Sequence, residues 1–306
     1  MLDLRQLRAL RAVADTGSVL AAARVLDWSQ PTVSHHLSAL SRLTGTPMVE
    51  ASSSGTVLTA AGRAWLPHAQ ALLDRAAQAQ DDVRSELAQS RRRIRVGIFP
   101  TAAAYLLPTL VQAAGTLGLE PRITETELDG LLDGMAALRL DMAIVYGRRG
   151  GTRLPRGSRR IPLTTERLAV ALTRNHPLAS DPGLTLAMLR NERWILGTTD
   201  SDPVDLALFD AAQSSGFTPL PGPRSDDYRV ISAYVAAGLG VALIPELALS
   251  GVNEDVVVVE IDEPNLERKV SLVVAPWIEG TAVDAIVTAL RAELPPAPTS
   301  AVGREP

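Results

Sequence analysis

The stretch Ser18–Leu40, SVLAAARVLDWSQPTVSHHLSAL, decides the fold of the N-terminal part of this 306-residue chain. Apolar residues recur at helical spacing on both sides of Asp27-Trp28, which predicts two short helices with a tight break between them. Ser18 and Ser29 are expected to cap these helices. Pro31 is tolerated in the first turn of the second helix, because the amide that it lacks would have no helical partner there.

The second of these helices has two different faces. Val33, Leu37 and Leu40 are spaced to face inward, and small alanines at positions 21–23 allow the two helices to approach closely. The outer face is short, polar and rich in hydrogen-bond donors, which suits a helix in a DNA major groove. An ordinary helical hairpin inside a core remains an alternative for this stretch alone. The predicted DNA-contacting residues are Ser29, Gln30, Pro31, Thr32, Ser34, His35 and Ser38.

One helix is predicted before this stretch and one long helix after it. Asp3 and Gln6 form a capping-box pair at the start of the first helix, which ends at Thr16-Gly17. From Thr59 to about Gln89, apolar residues recur close to a heptad pattern, although Pro67 should kink the helix or limit its first turn. No neighbouring segment offers this stripe a partner, so dimerisation is predicted through Trp65, Ala69, Leu72, Ala76, Ala79 and Val83. Residues 90–93, SRRR, are predicted as a hinge or as a solvated basic linker.

From Ile94 onward, strand and helix patterns alternate, which predicts parallel βαβ units in an α/β domain. Strands are predicted at 94–98, 123–127, 142–146, 168–172, 194–196, 241–244 and 270–274. Helices are predicted from about 101 to 117, at 131–138, near 203–215, 228–237 and 281–293. The Pro-, Ala- and Ser-rich tail 295–306 is predicted to be disordered.

Composition excludes several classes of protein. The chain has no cysteine, which excludes disulfides, thiol catalysis and cysteine-ligated metals. No apolar run is long enough for a transmembrane helix, and no signal peptide is expected. The formal net charge is −4, but residues 1–93 hold 11 arginines against 8 acidic residues, a local charge of +3. This asymmetry favours a DNA-binding head on an acidic body.

Motifs of enzymes and metal sites are missing from the sequence. It contains no phosphate loop, GxSxG or HExxH, and no enzymatic activity is expected. Asp200, Asp202 and Asp205 cluster where a helix begins, and stabilisation by the helix dipole is preferred over an acid-base pair. His35 and His36 point about 100° apart on a helix, so no metal site is expected.

Residues 1–66 resemble the winged helix-turn-helix of the LysR-type transcriptional regulators. The resemblance implies a wing hairpin over 45–58, whose tip residues Ser53 and Ser54 touch the DNA backbone. The chain departs from the family at Met48-Val49, at Ala51 in place of a wing arginine, and at His35 in place of an arginine that reads bases. The matching motifs are Ala22-Ala23, Ser29-Gln30-Pro31-x-Val33-Ser34, Thr44-Gly45 and Leu58-Thr59-x-x-Gly62.

The second part resembles the family's effector domain, which has the fold of periplasmic solute-binding proteins. The expected fold is thus an all-α winged helix-turn-helix head (1–58) and a linker helix (59–90), followed by a two-subdomain α/β effector domain (91–294). The subdomains would comprise 94–163 with 269–294, and 164–268, joined by two crossing strands. A small anionic or polar metabolite is expected between them. Its predicted contacts are Thr101, Ala102, Leu128 (where some relatives carry a hydroxyl), Tyr146, Thr198 and Thr199.

The resemblance implies a sequence-specific, DNA-binding transcriptional regulator whose activity is modulated by that metabolite. Double-stranded promoter DNA, RNA polymerase and further copies of the chain, as a homodimer or homotetramer, are the expected macromolecular partners. Neither a cofactor nor a membrane is expected, and the expected location is the cytoplasm. The alternative is a ligand-independent regulator with a vestigial solute-binding-like domain.

Overall fold

A computed structural model gives the fold and describes residues 1–53, 55–87, 92–148, 154, 157–263 and 265–295. Residue contacts divide the chain into two compact units, which are described separately. The first unit comprises Met1–Arg95, Gly118–Arg122 and Leu132–Asp141, and the second comprises Val96–Leu117, Ile123–Leu131 and the chain from Met142 onward. The domain boundaries expected from the sequence stay predictions, and the predicted disordered tail lies outside the described residues except for Pro295.

The first unit begins with three helices, α1 (Leu4–Thr16), α2 (Val19–Leu26) and α3 (Gln30–Thr44). The predicted capping box is present at α1, where Asp3 accepts a hydrogen bond from the Arg5 amide at 2.9 Å. Ser18 and Ser29 cap α2 and α3, which confirms both expectations. Asp27 adopts the left-handed conformation, with φ of 56°, and this residue makes the tight break between α2 and α3.

The predicted wing is a two-stranded antiparallel hairpin of β1 (Val49–Ser52) and β2 (Gly55–Leu58). The hairpin packs closely against the end of α1, where the Thr56 amide donates a hydrogen bond to the Gly17 carbonyl at 2.8 Å. Gly55 has φ of 136°, and a Cβ atom there would lie 2.5 Å from the same carbonyl oxygen. Only glycine therefore fits this approach of the hairpin to the helix.

The long helix α4 (Ala60–Leu87) follows the wing and continues through Pro67. Its first turns pack on α1 and complete the core of the head, in which Ala69 is fully buried and Trp65 is partly buried. The prediction that no neighbouring segment covers the apolar stripe is therefore wrong for Trp65 and Ala69. The stripe residues that remain exposed or partly exposed are Leu72, Ala76, Ala79 and Val83.

The rest of the chain alternates strands and helices largely as predicted. In chain order the elements are β3 (Arg92–Ile98), α5 (Pro100–Thr116), β4 (Leu119–Glu125), α6 (Leu128–Ala136), β5 (Met142–Gly147), β6 (Arg159–Thr173), β7 (Arg193–Leu196), α7 (Pro203–Ser214), β8 (Leu220–Arg224), α8 (Tyr228–Ala236), β9 (Ala242–Pro245), β10 (Val256–Val259), β11 (Glu267–Val274) and α9 (Gly280–Glu293). Short 3₁₀ helices occur at Leu186–Leu189 and Glu246–Gly251. Arg92 and Arg93 lie in β3 rather than in a linker, whereas Ser90 and Arg91 lie outside the described residues.

The main sheet has the order β10-β6-β11-β5-β3-β4, and β9 also pairs with β6. The parallel arrangement predicted throughout holds for β3 with β5 and for β7 with β8. It is wrong for β11, which runs antiparallel to both β5 and β6, and for β9, which runs antiparallel to β6. The first part of β6 pairs with β11 and its second part pairs with β9 and β10, so this one strand crosses between two halves of the second unit. Within the described ranges, every helix is too short or too polar to span a membrane.

Candidate functional site

The first candidate surface is the outer face of α3. Val33, Leu37 and Leu40 are buried in the head core, which confirms the predicted inward face. The Ser29 and Thr32 hydroxyls lie 2.7 Å apart at the start of the helix. The residues predicted to contact DNA are all exposed, namely Ser29, Gln30, Pro31, Thr32, Ser34, His35 and Ser38.

The two histidines of α3 have different environments. His35 is exposed on the outer face, whereas His36 is partly buried and its ring lies 5.3 Å from that of Trp28. Burial, together with the nearby Arg5 guanidinium, lowers the pKa of His36. The outer face thus presents an amide, hydroxyl groups and one exposed imidazole to its surroundings.

The wing adds a second exposed segment beside the helix-turn-helix. Ser52 and Ser53 are exposed, whereas Ser54 lies outside the described residues. Ala51 is exposed at the position where the family resemblance leads one to expect an arginine. The charge that an arginine would bring to the wing is therefore missing at this position.

The second candidate site is a small cavity in the second unit, with about 30 Å³ of free space inside it. One wall comes from the ends of β3 and β5 and the start of α5. The other wall comes from β7 and the first turns of α7 and α8. The residues that line it include Phe99, Thr101, Glu127, Tyr146, Asp202, Asp205, Asp226, Tyr228 and Arg268.

Arg268 lies at the base of the cavity on β11, directly opposite Glu166 of β6. Both side chains are almost fully buried, and Arg268 Nε donates to Glu166 Oε1 at 2.5 Å. The second Glu166 oxygen accepts a hydrogen bond from the Leu247 amide at 2.9 Å. Both partners lie where β6 crosses between the two halves of the second unit, so the ion pair links β6 to β11 at this crossing.

The remaining bonds of Arg268 point toward the cavity wall. Its Nη2 atom donates to Thr101 Oγ1 at 3.0 Å. The guanidinium carbon lies 5.1 Å from the Phe99 ring centroid and 4.9 Å from that of Tyr146, within cation–π range. Carboxylate, hydroxyl and aromatic partners thus surround the guanidinium.

Carboxyl groups crowd the same cavity. Burial and the Asp226 and Asp202 carboxylates raise the pKa of Glu127 to about 7. Burial, with the Asp202 carboxylate next in importance, raises the pKa of Asp205 to about 7. The pKa of Asp202 is also raised by burial. Glu127 and Asp205 therefore ionise near neutral pH, where a ligand or a proton changes their charge.

The acids of α7 also confirm their expected structural role. Asp202 is the N-cap of α7, and its Oδ1 atom accepts from the Val204 amide at 2.7 Å. Asp205 accepts from the Gly197 amide at 2.9 Å. The expectation that these carboxylates stabilise a helix start is confirmed for Asp202, and Asp205 lies in the first turn of α7, whereas Asp200 lies before the helix and pairs with Arg224. The structure adds that Asp202 and Asp205 both line the cavity.

The six residues predicted to contact the ligand lie in different environments. Thr101 and Tyr146 line the cavity, and Leu128 and Thr199 line a smaller pocket beside it. Ala102 is fully buried, so only its amide in the first turn of α5 can serve a ligand. Thr198 is exposed, and its amide and hydroxyl both donate to Asp226.

Sequence reasoning missed four charged residues in or beside the cavity, namely Glu127, Glu166, Asp226 and Arg268. Glu166 precedes an apolar strand segment in TTERLAVAL, and Arg268 precedes one in ERKVSLVV. A charged residue beside an apolar strand was the only sequence feature that could have marked either of them. Glu127 follows β4 and Asp226 precedes α8, and no local pattern marks either of them. These residues are far apart in the sequence, and only the fold brings them together.

Two family models match the chain. The one described as "Bacterial regulatory helix-turn-helix protein, lysR family" matches residues 4–63, and "LysR substrate binding domain" matches residues 87–295, more than half of the chain. The chain belongs to the LysR family of transcriptional regulators. It combines the helix-turn-helix head of that family with its substrate-binding domain.

Relatives agree with this assignment. A probable hydrogen peroxide-inducible genes activator of Mycobacterium avium is 32% identical over 249 residues, covering 79% of this chain and 78% of the relative. The uncharacterized HTH-type transcriptional regulator YvbU of Bacillus subtilis is 27% identical over 300 residues, covering 96% of this chain and 99% of the relative. Full-length CbnR, solved with its target DNA, is 22% identical with a TM-score of 0.68 and shares the fold over 96% of this chain and 100% of its own.

Proposed function

We propose that this LysR-family regulator reads a specific promoter sequence with α3, and that a small molecule in the cavity modulates its activity. The observation that carries the proposal is the outer face of α3, where every predicted contact residue is exposed while the inward residues fill the core. CbnR, which shares the fold, has been solved with its target DNA.

The residue types on α3 determine how bases would be read. Gln30 can pair with an adenine through two hydrogen bonds, and Ser34 can reach several base edges. His35 offers a single ring donor, so it cannot form the two-pronged contact of arginine with guanine. Backbone contacts come from arginines, hydroxyls and amides, including Ser53 and Ser54 of the wing, because the lone lysine is Lys269.

A dimer would give this weakly basic head enough contacts with the DNA for tight binding. Two recognition helices about 34 Å apart reach successive major grooves of a symmetric site. The exposed part of α4, with Leu72, Ala76, Ala79 and Val83, is the surface that we assign to dimerisation. Further pairing through the effector domains makes a tetramer, and recruitment of RNA polymerase couples binding to transcription. We propose that the protein performs these roles in the cytoplasm, without enzymatic activity and without a cofactor.

The cavity would carry the signal because its lining comes from both sides of the β6 crossing. A ligand that contacts Tyr146 and Asp202 together would stabilise one arrangement of the two halves over another. Thr101 and the α5 amides add donors, and Leu128 and Thr199 line the adjoining pocket. A peroxide signal of the kind named for the Mycobacterium avium relative cannot act here through a thiol, since the sequence has no cysteine.

The direct test is binding of the full chain to the DNA upstream of its own coding region. Fluorescence anisotropy should show a Kd about 10³-fold lower than for a shuffled duplex of the same length. Raising the salt concentration should weaken binding to both duplexes. Equal affinity for the two duplexes would contradict autoregulation, and a genome-wide selection of bound fragments would then decide whether any sequence is preferred. No enriched fragment in that selection would overturn the proposed function.

A further inference from the structure

Two arginines of α1 differ in how the protein engages them. Residues 1–58 contain five arginines against four acidic residues, so the head has few positive charges for DNA. Arg5 is neutralised by Asp3, because its Nε and Nη2 atoms donate to Asp3 Oδ2 at 3.0 and 2.8 Å. Arg8 is exposed, and no carboxylate among the described residues pairs with it. The guanidinium donors of Arg8 are therefore available to a partner outside the chain.

The ring of Trp28 fixes the position of the Arg8 side chain. The Arg8 guanidinium carbon lies 5.5 Å from the centroid of the Trp28 ring, within cation–π range. A ring that covers the face of a guanidinium leaves the N–H groups, which lie in the guanidinium plane, free for hydrogen bonds. Trp28 is itself anchored, since it packs on the head core and its amide donates to the Ala23 carbonyl at 2.9 Å. The contact thus holds the Arg8 charge in place without using its donors.

Trp28 also places Arg8 beside the start of α3. Trp28 directly precedes Ser29, which is the N-cap of α3. A recognition helix reads bases with its N-terminal residues, so the turn before it lies at the rim of the major groove, where the sugar-phosphate backbone runs. On the same flank, the His36 ring lies 5.3 Å from that of Trp28, and burial lowers the pKa of His36. His36 is therefore uncharged at neutral pH, and Arg8 supplies a positive charge that this histidine does not.

We infer that Arg8, held over the Trp28 ring, contacts a backbone phosphate at the rim of the groove that α3 enters. The inference rests on the proposed function of α3 as the helix that reads DNA. A planar guanidinium suits this partner, because two of its N–H groups can donate to two oxygens of one phosphate. The contact positions α3 on the duplex and carries no sequence information. It provides on α1 a charge of the kind that the wing lacks at Ala51.

The test measures how the full-length protein binds the preferred duplex and a shuffled duplex by fluorescence anisotropy, from about 50 to about 200 mM salt. Arg8→Ala should weaken binding to both duplexes by a similar factor of about 10, because a charge-assisted hydrogen bond is lost. The slope of the logarithm of the binding constant against the logarithm of the salt concentration should become shallower by about 0.9 for each head on the DNA. Arg8→Lys keeps the charge and should keep the slope.

The matched control is Arg190→Ala. Arg190 is an exposed arginine outside the head, so this variant removes the same charge elsewhere. It should leave both the affinity and the slope unchanged. Circular dichroism of every variant checks that it is folded.

A double-variant cycle tests the role of Trp28. Trp28→Leu keeps an apolar side chain on the core but removes the ring, so it should weaken binding to both duplexes less than Arg8→Ala does. Added to Arg8→Ala, it should cause no further loss, whereas an equal loss in both backgrounds would show that the ring does not act through Arg8. If Trp28→Leu unfolds the head, Trp28→Phe, which retains an aromatic face, should keep the parental affinity and slope, and a shallower slope would contradict the inference.

An unchanged slope in Arg8→Ala would overturn the phosphate contact, as would a loss of affinity confined to the preferred duplex. The parent protein separates this inference from the proposed function. If the parent prefers no sequence while Arg8→Ala has a shallower slope on shuffled DNA, the proposed function is rejected and the phosphate contact is kept. If the parent prefers its duplex and the slope of Arg8→Ala is parental, the proposed function is kept and the phosphate contact is rejected.

Discussion

The outer face of α3 and the lining of the cavity are both polar, but they are built in opposite ways. The α3 face comes from residues 29–38, is exposed throughout and carries no carboxylate or guanidinium. The cavity draws residues from position 99 to position 268 and places charged groups inside the protein. Water satisfies the α3 face in the free protein, whereas the fold itself must balance the charges of the cavity.

Because of this difference, we expect substitutions in the two regions to have different effects on binding and on stability. Substitutions on the α3 face should alter DNA binding and leave folding almost unchanged. Substitutions in the cavity should alter stability and its pH dependence as well as ligand binding.

The largest effect is expected at the buried ion pair. Arg268→Ala leaves Glu166, which is fully buried, without its partner, and should lower the free energy of unfolding by about 3–5 kcal/mol. Urea unfolding measures this change, and Ser34→Ala, on the exposed face of α3, should change stability by less than about 0.5 kcal/mol. The double variant Glu166→Gln with Arg268→Met should recover most of the loss. A loss below about 1 kcal/mol for Arg268→Ala would show that Glu166 is not left as an uncompensated buried charge.

A smaller effect, which depends on pH, is expected at Glu127. Its pKa is raised from 4.5 to about 7, so the folded protein binds the proton more tightly than the unfolded chain. Stability from this group is present below about pH 4.5 and is lost as pH rises through about 7. The groups facing Glu127 are Asp226, Asp202, Tyr146 and Arg268.

Glu127→Gln removes this ionisation, so it should stabilise the unliganded protein by about 1 kcal/mol at pH 8, allowing for solvent screening of a half-exposed group. The gain should shrink as the pH falls through the 7 to 4.5 range and vanish at about pH 4. Thermal unfolding at both pH values measures it, with Glu125→Gln as a control of equal charge change. An equal gain in the control, or no gain at pH 8, would contradict the raised pKa.

The same comparison explains what the sequence could predict. The α3 face could be read because its caps and its inward residues, Val33, Leu37 and Leu40, lie within one short stretch. The cavity could be predicted only in outline, through Thr101 and Tyr146. Glu166 and Arg268 meet across 102 positions, and their meeting depends on the register of β6 with β11.

Two further differences have physical causes. The apolar stripe of α4 predicts that another segment packs against it but does not identify that segment. In the structure, α1 of the same chain packs against Trp65 and Ala69. β6 is 15 residues long, although only 168–172 was predicted, because the polar run before Leu168 pairs with β11 and lacks an apolar pattern.

The central claim is that the outer face of α3 reads DNA sequence, and the most direct measurement is the affinity of Gln30→Ala and Ser34→Ala for the preferred duplex. Each variant should bind it about 5- to 100-fold more weakly, as expected for one lost base contact, while binding to shuffled DNA stays the same. Gln80→Ala, an exposed glutamine on α4, is the matched control and should bind like the parent. Parental affinity in both α3 variants would contradict the claim.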